Sequence, residues 1–110
     1  MALQADEGLG LIIVRYRKRF LEKCYKQKAE AIKRWGPIVG EKYIKHLNLI
    51  YAAEKTDDLY HLPQLGFHPL KGDREGQHSI ILTRRARLIV KCEADTIIIV
   101  EEVSADHYEQ

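Results

Sequence analysis

A chain of 110 residues, 45% of them hydrophobic and 31% charged, has room for one domain around a single core and is too apolar for a disordered class. Its longest apolar runs, Leu11 to Val14 and Thr96 to Val100, fall far short of a membrane span, and the N-terminus lacks the basic start and long apolar core of a secretory signal. A cytoplasmic protein with no membrane partner is expected. The formal net charge of +2 hides an asymmetry: eleven Lys or Arg stand against Glu22, Glu30 and Glu41 between Arg15 and Lys45, and six more stand against Asp73 and Glu75 between His68 and Lys91. From Glu93 onward there are six acids and no Lys or Arg. Local excess of this kind attracts a polyanion or an acidic partner, although a lysine-rich helix face is also what a solvated surface looks like.

Residues 1–9 have no periodicity and read as a loose leader, which leaves residues 10–110 as a single domain. Gly10 to Tyr16 reads as a strand. Helical spacing then places Phe20, Leu21, Cys24, Ala31, Ile32 and Trp35 on one face and lysines on the other, until Gly36-Pro37 stops the helix. Pro37 opens a second helix whose stripe of Tyr43, Ile44, Leu47, Ile50 and Tyr51 keeps the i, i+3, i+4, i+7 pattern. The two form an αα-hairpin. Beyond Asp57-Asp58 the chain bends through Leu62-Pro63-Gln64-Leu65-Gly66 and becomes strand-rich at Gln77 to Thr83, Ala86 to Cys92 and Thr96 to Val103. Short links between these strands imply an antiparallel meander. The predicted fold is therefore α+β in the order β-α-α-β-β-β, an antiparallel sheet of about four strands with the N-terminal αα-hairpin packed on one face.

Strand parity then says what the other face carries. Ala86, Leu88, Val90 and Cys92 point one way, toward the helices, so Arg87, Ile89 and Lys91 point the other, giving a cationic open face. Cys24 and Cys92 lack the spacing of a redox or zinc site and read as small buried apolar residues. The five histidines include no pair with ligand spacing on one face, so neither a metal nor another cofactor is expected. His46, His61 and His78 read as structural or solvated, and Trp35 with the tyrosines at 16, 25, 43 and 51 as core or rim.

The most informative stretch is Phe67-His68-Pro69-Leu70-Lys71-Gly72-Asp73-Arg74-Glu75-Gly76-Gln77-His78-Ser79-Ile80, a turn-rich cationic loop running into a β-branched strand. It brings a histidine, a lysine and an arginine together beside glycines that let backbone amides approach a phosphate. The pattern reads as a phosphate site with a titratable group beside it, since chemistry at a phosphate needs proton carriers and cations for the phosphoryl oxygens. Histidine suits either proton role near neutral pH, and Lys71, Arg74, Arg87 and Lys91 supply charge.

This stretch resembles the central motif of the HigB-type (host inhibition of growth) branch of the RelE/ParE toxins, in which a His-Pro-Leu-Lys-Gly-Asp-Arg-x-Gly run precedes a strand. The opening Ile13-Val14-Arg15-Tyr16, followed by Arg19-Phe20-Leu21, and the closing Glu102-Val103-Ser104-Ala105-Asp106-His107-Tyr108 agree with it, so matching pieces span residues 12–108. The resemblance implies a RelE/ParE-like fold whose first strand pairs into the sheet. It also implies a type II toxin that cleaves mRNA on the ribosome and is held inactive by a cognate helix-turn-helix, HigA-like antitoxin. Such a toxin is a monomer alone and joins a higher-order complex with the antitoxin. His68, Asp106, His107 and Tyr108 would be catalytic, with the ending here reading Asp-His-Tyr where better-known members read Asp-Tyr-His. Two other readings stay open: a ParE-like toxin that inhibits DNA gyrase by binding alone, and a small basic nucleic-acid-binding module. Histidines at both ends of the site favour the enzyme, since a pure binder has no need of paired titratable groups.

Overall fold

The computed structural model describes residues 11–105; the leader at 1–9 and the candidate residues Asp106, His107 and Tyr108 lie outside them. Strand β1 (Ile13–Tyr16) leads into helix α1 (Arg19–Lys26), and α2 (Lys28–Ala52) follows after one extended residue, Gln27, at φ −128° and ψ 102°. The expected single helix from Phe20 to Trp35 is thus broken, and the apolar stripe explains why. In a continuous helix, Lys28 would fall on the same face as Leu21, Cys24 and Ala31, which are buried. The break at Gln27 releases Lys28 to the surface, where its ammonium lies 3.4 Å from Glu41.

The second break falls where the sequence places it. Gly36 sits at φ 88° and ψ 164° inside α2, because the residue before a proline is pushed out of the helical region and only glycine takes a positive φ at little cost. The two halves of α2 fold back on each other so closely that a Cβ at Gly40 would lie 2.9 Å from the backbone of Ala31 and Ile32. Tyr43, fully buried beside them, donates its hydroxyl to the Leu21 carbonyl at 2.7 Å and ties α2 to α1.

Three 3₁₀ turns, Thr56–His61, Pro63–Leu65 and Gly72–Arg74, carry the chain around the sheet edge. The remaining strands are β2 (His68–Pro69), β3 (Gln77–Thr83), β4 (Ala86–Ala94) and β5 (Ile97–Ala105). The sheet has five strands in the order β1-β5-β4-β3-β2, with β1 parallel to β5 and the other pairs antiparallel. The expected antiparallel meander is present as β3, β4 and β5, and the sheet departs from an antiparallel one of about four strands in two ways. The helical crossover returns the chain so that β5 runs alongside β1 in the same direction, and the motif itself adds a two-residue edge strand.

The helices cover one face. Leu21, Cys24, Tyr43, Leu47 and Ile50 pack with Ile80, Leu82, Leu88, Val90, Ile98 and Val100 in the main core. The parity expected for β4 holds for Ala86, Leu88 and Val90, all buried under the helices, while Cys92 is only half-buried. In β5 a bulge intervenes: Ile89 pairs with Glu102 but Val90 pairs with Val100, so Glu101 is the extra residue. That slip lets Val100 and Val103 both face the core although they are an odd number of residues apart.

Candidate functional site

His68 enters the site through the edge strand. Its partner across the β2–β3 pair is Ser79, Ser79 pairs with Ile89, and Ile89 pairs with Glu102, which makes one row across the face opposite the helices. The imidazole is exposed, and its Nδ1 lies 3.0 Å from the Gly66 carbonyl. A carbonyl oxygen only accepts, so Nδ1 carries the proton and Nε2 of the neutral ring keeps its lone pair. This is the tautomer a proton acceptor needs.

Arg74 spans the same face. Its Nε donates to Gln77 Oε1 at 2.9 Å and its Nη2 donates to Glu102 Oε2 at 2.8 Å. Gln77 is on β3 and Glu102 on β5, strands about 10 Å apart, so the guanidinium crosses over β4. Ser79 and Ile89 in this row are 4% and 5% exposed although they face away from the helices, and Ile89 stands outside the main core. Ile89 points away from the helices as parity expects, yet it is buried, in the same row as Glu102, the partner of Arg74.

The other predicted phosphate ligands differ in availability. Arg87 donates Nη1 to the carbonyls of Thr83, Arg84 and Ala86 at 2.7, 3.2 and 3.1 Å, bracing the turn between β3 and β4. Lys91 lies 3.8 Å from Glu93. Lys71 is exposed and has no acid partner among the described residues. Arg15, which the sequence reading did not single out, joins this face because it pairs with Ile99, the partner of Lys91. Its neighbour Arg17 makes a bidentate pair with Glu101 at 2.8 and 2.9 Å. Thus His68, Lys71 and Arg74 gather at one edge, Lys91 and Arg87 occupy rows on either side of theirs, and β5 reaches its last described residue, Ala105, opposite Ala86.

On the helix side of the same edge lies a second cluster. Phe67 stacks on His78 with ring centroids 4.3 Å apart and planes 12° from parallel, and Tyr60 meets Phe67 edge-on at 4.8 Å. The Tyr60 hydroxyl and His78 Nε2 share a hydrogen bond of 2.8 Å, while His78 Nδ1 lies 3.7 Å from Cys92 Sγ. Burial pushes the His78 pKa down, with the charge of His68 adding to the effect, and burial pushes the Cys92 thiol up to about 11. Both are therefore neutral near pH 7, and Cys92 is not an activated nucleophile. His46 is also held neutral, by burial and by Lys42, and its Nδ1 has no hydrogen-bond partner among the described residues. Among the described residues no group of three or more His, Cys, Asp or Glu could hold a metal ion, and no helix is long and apolar enough to cross a membrane.

Sequence reasoning missed Glu102 as the partner of Arg74, and the reason is local. Parity counted back along β5 does not survive the bulge at Glu101, so which of two adjacent glutamates faces the loop was not readable. It also assigned no part in the site to Tyr60 and His78, since their meeting depends on the path of the 3₁₀ turns.

No family model matches the chain, and no curated protein matches it. Among solved structures it is similar to a mutant of YafQ from E. coli, with a TM-score of 0.56 and 18% identity over 89% of this chain and 97% of that one. It is likewise similar to the YoeB/ParE toxin from Agrobacterium tumefaciens, with a TM-score of 0.55 and 15% identity over 87% of this chain and 100% of that one. YafQ from E. coli strain BL21(DE3) gives 0.52 and 18% over 89% and 97%. The five-stranded sheet with helices on one face is the RelE/ParE-like toxin fold.

Proposed function

We propose that this chain is the toxin of a type II toxin–antitoxin system, of HigB type, and that it cleaves mRNA on the ribosome without a metal. The observation that carries this reading is the state of His68: an exposed imidazole on an edge strand, Nδ1 tied to Gly66, Nε2 without a hydrogen-bond partner among the described residues, with Lys71 and Arg74 in the loop that follows. In the proposed reaction Nε2 takes the 2′-OH proton as that oxygen attacks the adjacent phosphorus. The 5′-oxygen leaves with a proton from the Asp106, His107, Tyr108 ending, and Lys71 and Arg74 offset the charge gathering on the phosphoryl oxygens. Breaking the P–O5′ bond in this way gives a 2′,3′-cyclic phosphate and a 5′-hydroxyl.

The distribution of charge supports a large polyanionic partner. Lys18, Arg19, Lys23, Lys33, Lys42 and Lys45 are exposed and make no ion pair among the described residues, so the helical layer offers unneutralised charge to a surface such as ribosomal RNA. A HigA-like antitoxin would counter the toxin in the resting cell, and the site of action is cytoplasmic. Induced expression followed by mapping of transcript ends tests the proposal. Arrested growth with 5′-hydroxyl ends that persist in metal-chelated extracts is expected. Intact mRNA with relaxed or cleaved chromosomal DNA would replace it with the gyrase reading.

A further inference from the structure

We infer that Tyr60, Phe67 and His78 form an aromatic clamp whose task is to position His68, holding its ring so that Nε2 faces outward without a proton. The inference rests on the reading of His68 as the proton acceptor, and it names residues outside the reacting groups. Positioning is needed because His68 sits in a strand of only two residues, His68–Pro69, at the sheet edge. So short an edge strand holds a side chain poorly, since a strand of this length has few ladder bonds and no neighbour on its outer side.

The three residues before Pro69 are instead fixed by side-chain packing on both faces of the sheet. Gly66 is left-handed, φ 55°, and so close to Ile81 that a Cβ would lie 2.6 Å from its Cδ1. Phe67, 7% exposed, goes to the opposite face and is held between the ring of His78, parallel to it, and the edge of Tyr60. The Tyr60–His78 hydrogen bond closes the triangle, and His78 is anchored in turn by its place in β3 opposite Val90. With Gly66 and Phe67 immobilised, the Gly66 carbonyl stays where the His68 Nδ1–H can reach it. Remove the clamp and the Phe67 backbone is free to turn, the Gly66 carbonyl moves, and nothing holds the proton on Nδ1.

Tyr60 is the residue through which to test this, because it is 49% exposed and its replacement leaves the core in place. The full-length protein, labelled with nitrogen-15 at histidine, is observed by NMR at a pH above about 8, where imidazoles are neutral. The His68 signals are assigned with His68→Gln, and cleavage is measured on ribosome-bound mRNA. His68 of the unaltered protein is expected to have a protonated Nδ1 and an unprotonated Nε2. In Tyr60→Leu the signals move to an average of both tautomers, and kcat falls about tenfold with KM unchanged, the size of loss that slight misplacement of a reacting group brings. Tyr60→Phe, which keeps the edge contact, retains most of the His68 signature and of the activity. A wild-type His68 protonated on Nε2, or a Tyr60→Leu variant with the wild-type signature, overturns the clamp. Should the unaltered protein cleave no RNA while the signatures shift as expected, the clamp stands and the ribonuclease reading falls.

Discussion

Freeing Arg74 from Glu102 should raise the affinity for RNA. The guanidinium reaches a phosphate only by letting go of the carboxylate that now holds its Nη2 at 2.8 Å, so binding bears the cost of breaking that pair. The two side chains are 47% and 48% exposed, which places the pair in the solvent-screened class worth about 0.2–1 kcal/mol. Glu102→Gln keeps the size and a weaker acceptor while removing most of that attraction, which predicts an affinity roughly 1.4- to fivefold higher. The measurement is fluorescence anisotropy with a 2′-deoxy oligonucleotide that cannot be cut, across a salt series. Glu30→Gln on the helical layer serves as the control for the change in overall charge. Arg74→Ala should bind more weakly than the unaltered protein and flatten the salt dependence by about one unit of slope. If Glu102→Gln binds less tightly, Glu102 orients Arg74 rather than withholding it. If Arg74→Ala binds as well as wild type, Arg74 is a brace of the sheet face and not a ligand.

Three further outcomes are expected. His68→Ala should lower cleavage by about two to four orders of magnitude, whereas Lys71→Ala should chiefly weaken binding and steepen the loss of activity with salt; rates at saturating and limiting mRNA separate the two, and His107→Ala beside Tyr108→Phe assigns the acid. Gly40→Ala should destabilise the fold by about 1–3 kcal/mol in thermal melts, because contact with rigid backbone at 2.9 Å outweighs the roughly 1 kcal/mol that alanine gains over glycine in a helix. Burial lowers the pKa of His46 and His78 below the unfolded value of 6.5, so the unfolded chain takes up protons first. As far as these two histidines are concerned, stability should be constant between about pH 7 and 8 and decline as pH falls through 6.5, and His46→Leu should lessen that decline.

What the sequence revealed divides along the range of the interactions involved. The stop at Gly36-Pro37 and the bounds of β3 follow from local backbone chemistry and were readable to the residue. The break at Gln27 was readable in principle, as a lysine on an apolar stripe, but the stripe taken as a whole masked it. The parallel pairing of β1 with β5 joins residues more than eighty positions apart, such as Ile13 and Ile97, and no local pattern specifies it. In the site the distinction is the same. His68, Lys71 and Arg74 fall within one loop and were legible as a group, but what each is bonded to was not. Arg87, a cation on the open face by parity, turns its Nη1 onto three carbonyls of its own hairpin. Ile89, placed by parity on the face away from the helices, is there but buried, which parity alone does not say.

These pairings bear on how affinity and chemistry can be divided in so small a domain. On the sheet face Arg17, Arg74 and Lys91 already have carboxylates, and Arg87 has backbone carbonyls, so at these four an RNA phosphate gains only the difference between two partners, while Lys71 and Arg15 have no acid partner among the described residues. On the helical layer six exposed cations have no such competitor among the described residues, and each contact with a polyanion releases counterions at full effect. Affinity for RNA is thus expected to reside mainly in the helices, away from the reacting phosphate. That suits catalysis, since binding energy spent equally on substrate and transition state adds nothing to turnover, whereas charge released only as the phosphoryl oxygens become more negative does. An arginine held by a glutamate in the free state and drawn away by a growing negative charge is such a source. The same pairing would be a handicap in a protein that acted by tight binding through its sheet face alone.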